Sequence, residues 1–316
     1  LTSLNILNDK KDINLLQKIN KKNFNDKKKI IILGTGGSSL GGRALVGILN
    51  GNEKKKIIFL DNIDPISFQN SIKNIKITKI GIIIISKSGQ TPETLSQFTS
   101  IINKFKNNKN FNEFITDALI ITENKDNPLR IIAKKYKCRI LNHHSDIGGR
   151  YSVFSNVGLL PAVIAGLDIS QIRLGAQDLI TDTLNGSFKE HIRRAYLLKK
   201  LKDSKKINLN VLMTYSDSLY YFGKWYLQLW SESIGKNFKG ITPIHSIGTT
   251  DQHSQLQLYL DGPKDKFFTL ITKDHRNLGL KMNNQFLKNT NAKYLVGKKM
   301  GDLMHAEQQA TLNTFI

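Results

Sequence analysis

Several ingredients are scarce in this sequence. One cysteine, Cys138, stands in 316 residues. An internal disulfide is therefore excluded, which fits a reducing cytoplasm, and a cytoplasmic location is the expectation. The seven histidines include no pair at H-x3-H spacing. With a single thiol beside them, no zinc-type ligand set emerges, and neither a metal nor another cofactor is expected. No apolar run approaches the roughly 18 residues of a membrane span. The longest, around residues 82–85, is strand-sized, so no membrane partner is expected. Acidic residues are few, 25 against 47 Lys and Arg, for a formal charge of +22. A basic chain can bind nucleic acid or gather anionic ligands. Here the lysines form short runs (27–29, 54–56, 205–206) among Asn and Ile, residues that share A/T-rich codons. No aromatic interleaving or nucleic-acid module accompanies them, so solvated surface is the reading and nucleic acid is not an expected partner. Steering of an anionic substrate is compatible with the charge. The first residue is Leu1 and the last residues stop inside a helical pattern, so both ends read as cuts.

What is present is a rhythm. Segments 30–33, 57–60, 81–85 and 118–121 are continuous, β-branched and apolar, as buried parallel strands are. Helical patterns near 40–49, 92–106 and 127–136 lie between them. A second series comes next, with strands at 209–214, 241–247 and 267–271 and helices at 218–234 and 251–260. The stretch 150–200 is largely helical. The alternation predicts an α/β chain of two doubly wound parallel-sheet domains, each a three-layer αβα sandwich. The length also suits two domains. No Pro/Ser-rich linker marks the boundary; it is placed at 170/171, giving domains 1–170 and 171–316.

Two loops carry chemistry. Gly34-Thr35-Gly36-Gly37-Ser38-Ser39-Leu40-Gly41 follows the first strand and opens a helix. Glycines there let the backbone approach a ligand that faces helix N–H groups. The spacing matches neither the dinucleotide fingerprint nor the P-loop. After the third strand comes Ser86-Lys87-Ser88-Gly89-Gln90-Thr91-Pro92-Glu93-Thr94. Thr91 and Pro92 are a good N-cap and first helical residue. Capping alone leaves Ser86, Lys87 and Ser88 unexplained. Hydroxyls, an amine and a helix dipole converging on one point suit a phosphate.

Further motifs narrow the reading: Gly148-Gly149-Arg150-Tyr151-Ser152-Val153-Phe154-Ser155 with Gly158-Leu159-Leu160-Pro161, then Gln228-Leu229-Trp230-Ser231-Glu232-Ser233-Ile234-Gly235-Lys236, then Gly248-Thr249-Thr250-Asp251-Gln252-His253-Ser254-Gln255. Together with the two loops they resemble the glucose-6-phosphate isomerase family, of the sugar-isomerase (SIS) fold, from about residue 30 to 263. The resemblance implies reversible aldose–ketose isomerisation of a sugar phosphate through a cis-enediolate. It implies Glu232 as the base between C1 and C2, His253 as the ring-opening group and Arg150 as the cation beside the enediolate. It implies Gly37, Ser38, Ser86, Lys87, Ser88, Thr91, Gly149 and Gln228 as substrate contacts, and a homodimer with shared active sites. The chemistry asks for the same types: a base near operating pH and an electrophile for a developing negative oxygen. Gln228 and Glu232, four apart, share a helical face. Gly235 is a plausible C-cap, which puts Glu232 in a last turn. Asp251 is the candidate cap ahead of His253. The family's further lysine near its C-terminus has no counterpart here, so the second domain reads as incomplete. Two alternatives remain: a bifunctional isomerase also taking mannose 6-phosphate, and a non-catalytic SIS sugar-phosphate-binding module. The module needs the loop at 86–94 but has no use for Arg150, Glu232 and His253 together.

Overall fold

The computed structural model describes residues 2–205, 207–282 and 286–315. The chain divides into two compact units, Leu1–Glu190 with Lys224–Leu229, and His191–Gly223 with Trp230–Ile316.

The first unit is built on a five-stranded parallel sheet of order β2-β1-β3-β4-β5: β1 (Lys29–Leu33), β2 (Lys56–Leu60), β3 (Ile80–Ile85), β4 (Leu119–Thr122) and β5 (Arg139–Asn142). The side-chain period of two sorts its isoleucines cleanly. Ile31, Leu33, Ile82, Ile84 and Ile120 enter one core, with Phe98, Ile101 and Phe114. Ile30, Ile32, Ile83, Ile85 and Ile121 enter the other, with Leu16, Leu159 and Leu160. Both faces are thus covered, which explains why β3 reads as an unbroken apolar run and is buried at every position. Each fully buried isoleucine contributes about 1.5–3 kcal/mol. The strand β5 is not among the elements that the sequence predicts. Its RILN sequence is short and lies at the sheet edge, half-buried to exposed, so it carries no continuous apolar signal.

The helices of this unit are α1 (Thr2–Asn5), α2 (Lys10–Ile19), α3 (Leu40–Gly47), α4 (Pro65–Ile72), α5 (Pro92–Phe105), α6 (Phe111–Thr116), α7 (Pro128–Tyr136), α8 (Asn156–Ala165) and α9 (Ile169–Leu184). Three of them start on a cap followed by proline: Asp64-Pro65, Thr91-Pro92 and Asn127-Pro128. Proline's fixed φ suits the first helical position, where its missing N–H costs nothing. The helix α9 packs with this unit, beyond the boundary placed at 170/171. Buried Arg173 explains the attachment: its guanidinium pairs with Asp12 of α2 and donates to the Phe154 carbonyl at 2.8 Å. Cys138 is a core residue, and burial pushes its thiol up to about 11.

The second unit carries three parallel strands in the order β7-β6-β8: β6 (Leu209–Thr214), β7 (Thr242–Ile247) and β8 (Lys266–Ile271). Its helices are α10 (Glu190–Lys205), α12 (Thr250–Asp261), α13 (Met300–Phe315) and the two ends of α11 (Tyr220–Ile234), whose middle, Lys224–Leu229, clusters with the first unit. The central strand β6 supplies Val211 and Met213 to a core shared with Tyr215, Tyr259, Phe268 and Phe315. The rings of Phe268 and Phe315 stack at 4.3 Å. The architecture is the doubly wound α/β arrangement that the alternation predicts. No helix among the described residues is long and apolar enough to cross a membrane.

Candidate functional site

The strand order 2-1-3-4-5 reverses direction between β1 and β3. In open α/β sheets the carboxyl ends of the strands at such a reversal leave a crevice, and ligands bind there. The two glycine- and hydroxyl-rich loops follow these two strands, 34–39 after β1 and 86–91 after β3. An open cleft of about 310 Å³ lies at this place, lined by Thr35, Gly37, Ser38, Lys87, Ser88, Thr91, Glu123 and Gly149. Six of these are expected contacts. Thr35 and Glu123 are additions.

Close backbone packing shapes the floor. A Cβ on Gly37 would lie 2.3 Å from the Gly149 carbonyl carbon, so the two segments touch only because residue 37 lacks a side chain. Buried Ser152 faces both loops, its Oγ 3.1 Å from the Gly37 carbonyl oxygen and 2.7 Å from that of Gly149. Gly36 takes φ +58°, and a Cβ there would come within 3.0 Å of the Gln228 amide nitrogen. Gln228 of α11 clusters with the first unit and stands beside this loop.

The wall is the loop after β3. Thr91 occupies the N-cap of α5, but its side chain makes no capping bond. Its hydroxyl bonds instead to Ser86 Oγ at 2.8 Å. Ser86 is 2% exposed and also accepts the Gly89 N–H at 3.1 Å. With that acceptance made, Ser86 can donate to Thr91 and leave the Thr91 proton to a ligand in the cleft. Ser86 therefore sits behind the surface and is not one of its lining residues. Lys87 has three ammonium protons and three acceptors: Ser145 O at 2.6 Å, Ile147 O at 3.0 Å and Glu123 Oε1 at 3.3 Å. It ties the segment ahead of Gly149 to the phosphate-type loop. Lys125 also pairs with Glu123, at 3.2 Å. Burial opposes ionisation of Glu123, yet hydrogen bonds and charge from Lys125 and Lys87 outweigh it and hold its carboxyl below the usual value.

Arg150 follows Gly149 and is half-buried, with its guanidinium 4.5 Å from the Tyr151 ring centroid. Glu232 and His253 belong to the second unit. Glu232 is exposed in the last turn of α11, which Gly235 caps as expected. His253 is exposed in the first turn of α12. The cap of that helix is Thr249 and not Asp251. Thr249 and Gln252 form a T-x-x-Q capping box, with the Thr249 N–H donating to Gln252 Oε1 at 2.9 Å. Asp251, at the second helical position, accepts the Ile247 N–H at 2.6 Å and braces the end of β7. Among the described residues no group of three or more His, Cys, Asp or Glu could hold a metal ion. Ser152 lies within a motif, and the motif gives it no distinct role. Glu123 has no local signal; it joins the site only because β4 neighbours β3 in the sheet.

Comparison with known proteins gives concordant results. The family model for phosphoglucose isomerase matches residues 17–316. A probable glucose-6-phosphate isomerase of Haloquadratum walsbyi is 36% identical over 91% of this chain and 66% of its own length. A glucose-6-phosphate isomerase of Campylobacter jejuni is 34% identical over 100% of this chain and 76% of its own length. A crystal structure of a hypothetical protein from Thermus thermophilus superposes with a TM-score of 0.88 at 27% identity, covering 99% of this chain and 75% of that one. The chain spans about two thirds of the length of the curated relatives it matches, 66% and 64% for the first two.

Proposed function

Because the chain belongs to the phosphoglucose isomerase family, we propose that it interconverts glucose 6-phosphate and fructose 6-phosphate. The observation that carries this reading is the cleft at the β1/β3 reversal, where Ser38, Ser88 and Thr91 meet the backbone of Gly37 and Gly149. Hydroxyls and helix-start N–H groups there would take the phosphate dianion. Residues 1–170 would supply the phosphate loops, and 171–316 the base and the ring-opening group. Glu232 would remove the proton from C2 of the open-chain aldose, forming a cis-enediolate, and return it to C1. The proton on the C2 hydroxyl passes to O1, so C2 is oxidised, C1 reduced, and no external reductant enters. Arg150 would stabilise the negative oxygen, and His253 would move the proton that opens the ring.

The reading predicts discrimination as well as turnover. The purified protein should convert fructose 6-phosphate to glucose 6-phosphate, and calorimetry should show fructose itself binding far more weakly than its 6-phosphate. No conversion, together with equal affinity for the two sugars, would contradict the proposal.

A homodimer with shared sites follows from the same family reading, with His253 of one protomer serving the Glu232 site of its partner. Two-fold symmetry makes this testable. Chains bearing Glu232→Gln and His253→Ala, each nearly inactive, are unfolded, mixed equally and refolded. Random pairing leaves roughly a quarter of all sites free of both lesions, so activity returns. If both residues come from one chain, every site keeps a lesion and the mixture stays inactive.

A further inference from the structure

Thr249, between β7 and α12, has φ +68° and ψ −63°. The Thr250 N–H bonds back to the Gly248 carbonyl at 3.0 Å. Those angles with an i to i+2 bond define the γ-turn of the rare, strained hand. A β-branched residue at positive φ is a steric outlier, and such strain persists only where the surroundings over-determine it. The surroundings here do so. The Thr249 hydroxyl donates to Glu307 Oε2 at 2.6 Å, and its N–H donates to Gln252 Oε1 at 2.9 Å. The Gln252 amide nitrogen in turn donates to the Glu307 carbonyl at 3.3 Å and to the Thr311 hydroxyl. Glu307 and Thr311 both belong to α13, more than fifty residues further along the chain. On the other side, a Cβ on Gly248 would lie 2.3 Å from the Tyr215 ring, so the turn has no room to relax in that direction.

The turn matters because α12 starts from it. The Thr249 carbonyl accepts the His253 N–H at 3.4 Å, one of the first bonds of that helix. The orientation of that carbonyl therefore sets where the first helical turn starts and where the His253 side chain leaves it. Nothing in capping requires the strain: an N-cap residue ordinarily takes extended, negative-φ backbone. We propose that Glu307 is a positioning residue, which holds the strained turn at Thr249 through the threonine hydroxyl and through Gln252, and thereby aims His253. The use of His253 in ring opening rests on the function proposed above; the lock on the turn does not.

The test separates the two. Three variants of the protein are compared: Glu307→Ala, which removes the acceptor; Glu307→Gln, whose amide oxygen can still accept the hydroxyl; and Thr249→Val, which keeps the shape and loses the hydroxyl. Amide hydrogen exchange reads the turn directly. Exchange at Thr250–His253 should accelerate at least about tenfold in Glu307→Ala and Thr249→Val, as local opening becomes easier. Glu307→Gln should stay within about threefold of the parent for the same reason. On fructose 6-phosphate, Glu307→Ala should lower kcat about tenfold with KM unchanged, the pattern of a group that serves the reaction and not ground-state binding. If Glu307→Ala does not fold, Glu307→Met decides, because Thr249→Val also removes the cap acceptor of the Gln252 N–H. Unchanged exchange at these amides in the folded variants would overturn the lock. A parent protein that fails to turn over fructose 6-phosphate would overturn the isomerase reading, with the exchange pattern still deciding the role of Glu307.

Discussion

Replacing Glu232 by Gln should lower turnover of fructose 6-phosphate by about 10²–10⁴-fold, the usual contribution of a positioned general base. The substitution keeps the shape of the side chain and removes only the ability to take a proton. Glu232 is exposed at the end of α11, so the cost in stability should stay within about 0.5 kcal/mol. Its unit of the chain is not the one that forms the phosphate-type cleft. Affinity for a sugar phosphate should therefore survive, and the loss should fall on kcat. Kinetics and calorimetry on one preparation would measure both. Activity within about threefold of the parent would remove Glu232 from the role of general base, which is worth at least tens of fold more.

Replacing Gly37 by Ala should have the largest effect on binding. The added carbon would sit 2.3 Å from the Gly149 carbonyl carbon and 2.5 Å from its oxygen. Both contacts are to backbone, which cannot swing aside as a side chain can. The single Ser152 hydroxyl proton lies within reach of both carbonyls, closer to that of Gly149. The loops must move apart, and misplacement of binding groups by about 1 Å can cost 10²-fold. We expect a loss of that order in sugar-phosphate affinity, with overpacking that destabilises by about 1–3 kcal/mol. Gly175→Ala is the control. It lies exposed in α9, and its Cβ would meet nothing within 4 Å. Helix propensity there should stabilise by up to about 1 kcal/mol. Equal affinities for all three proteins would show that the approach of Gly37 to Gly149 does not shape the site.

Much of the fold is legible in the sequence because its physics is local. A strand buried on both faces is apolar at most positions, so β1, β3 and β4 stand out as isoleucine-rich runs. A cap residue followed by proline suits a helix start, which places the start of α5 at Pro92. The edge strand β5 is not legible, because an edge need not be apolar. The site divides along the same line. The glycines and hydroxyls of the two loops announce a phosphate-type cradle from their order alone, since backbone approach and helix-start donors require those residue types in that sequence. Which hydroxyl faces the cleft is a different matter. Ser86 and Ser88 are equivalent in the sequence, but burial turns Ser86 inward to orient Thr91 and leaves Ser88 at the surface. Lys87 lines the cleft as well, and only the folded chain shows that its ammonium also lies within reach of two carbonyls and a carboxylate. Asp251 reads as a cap until Thr249 is seen to hold that place at positive φ, secured by Glu307 from another helix. The sequence by itself determined the alternation of elements, the loops and the residue types that the chemistry needs, because each depends on neighbours along the chain. Only the tertiary structure decided which of those polar groups remain for a ligand, because that depends on partners brought together from far along the chain.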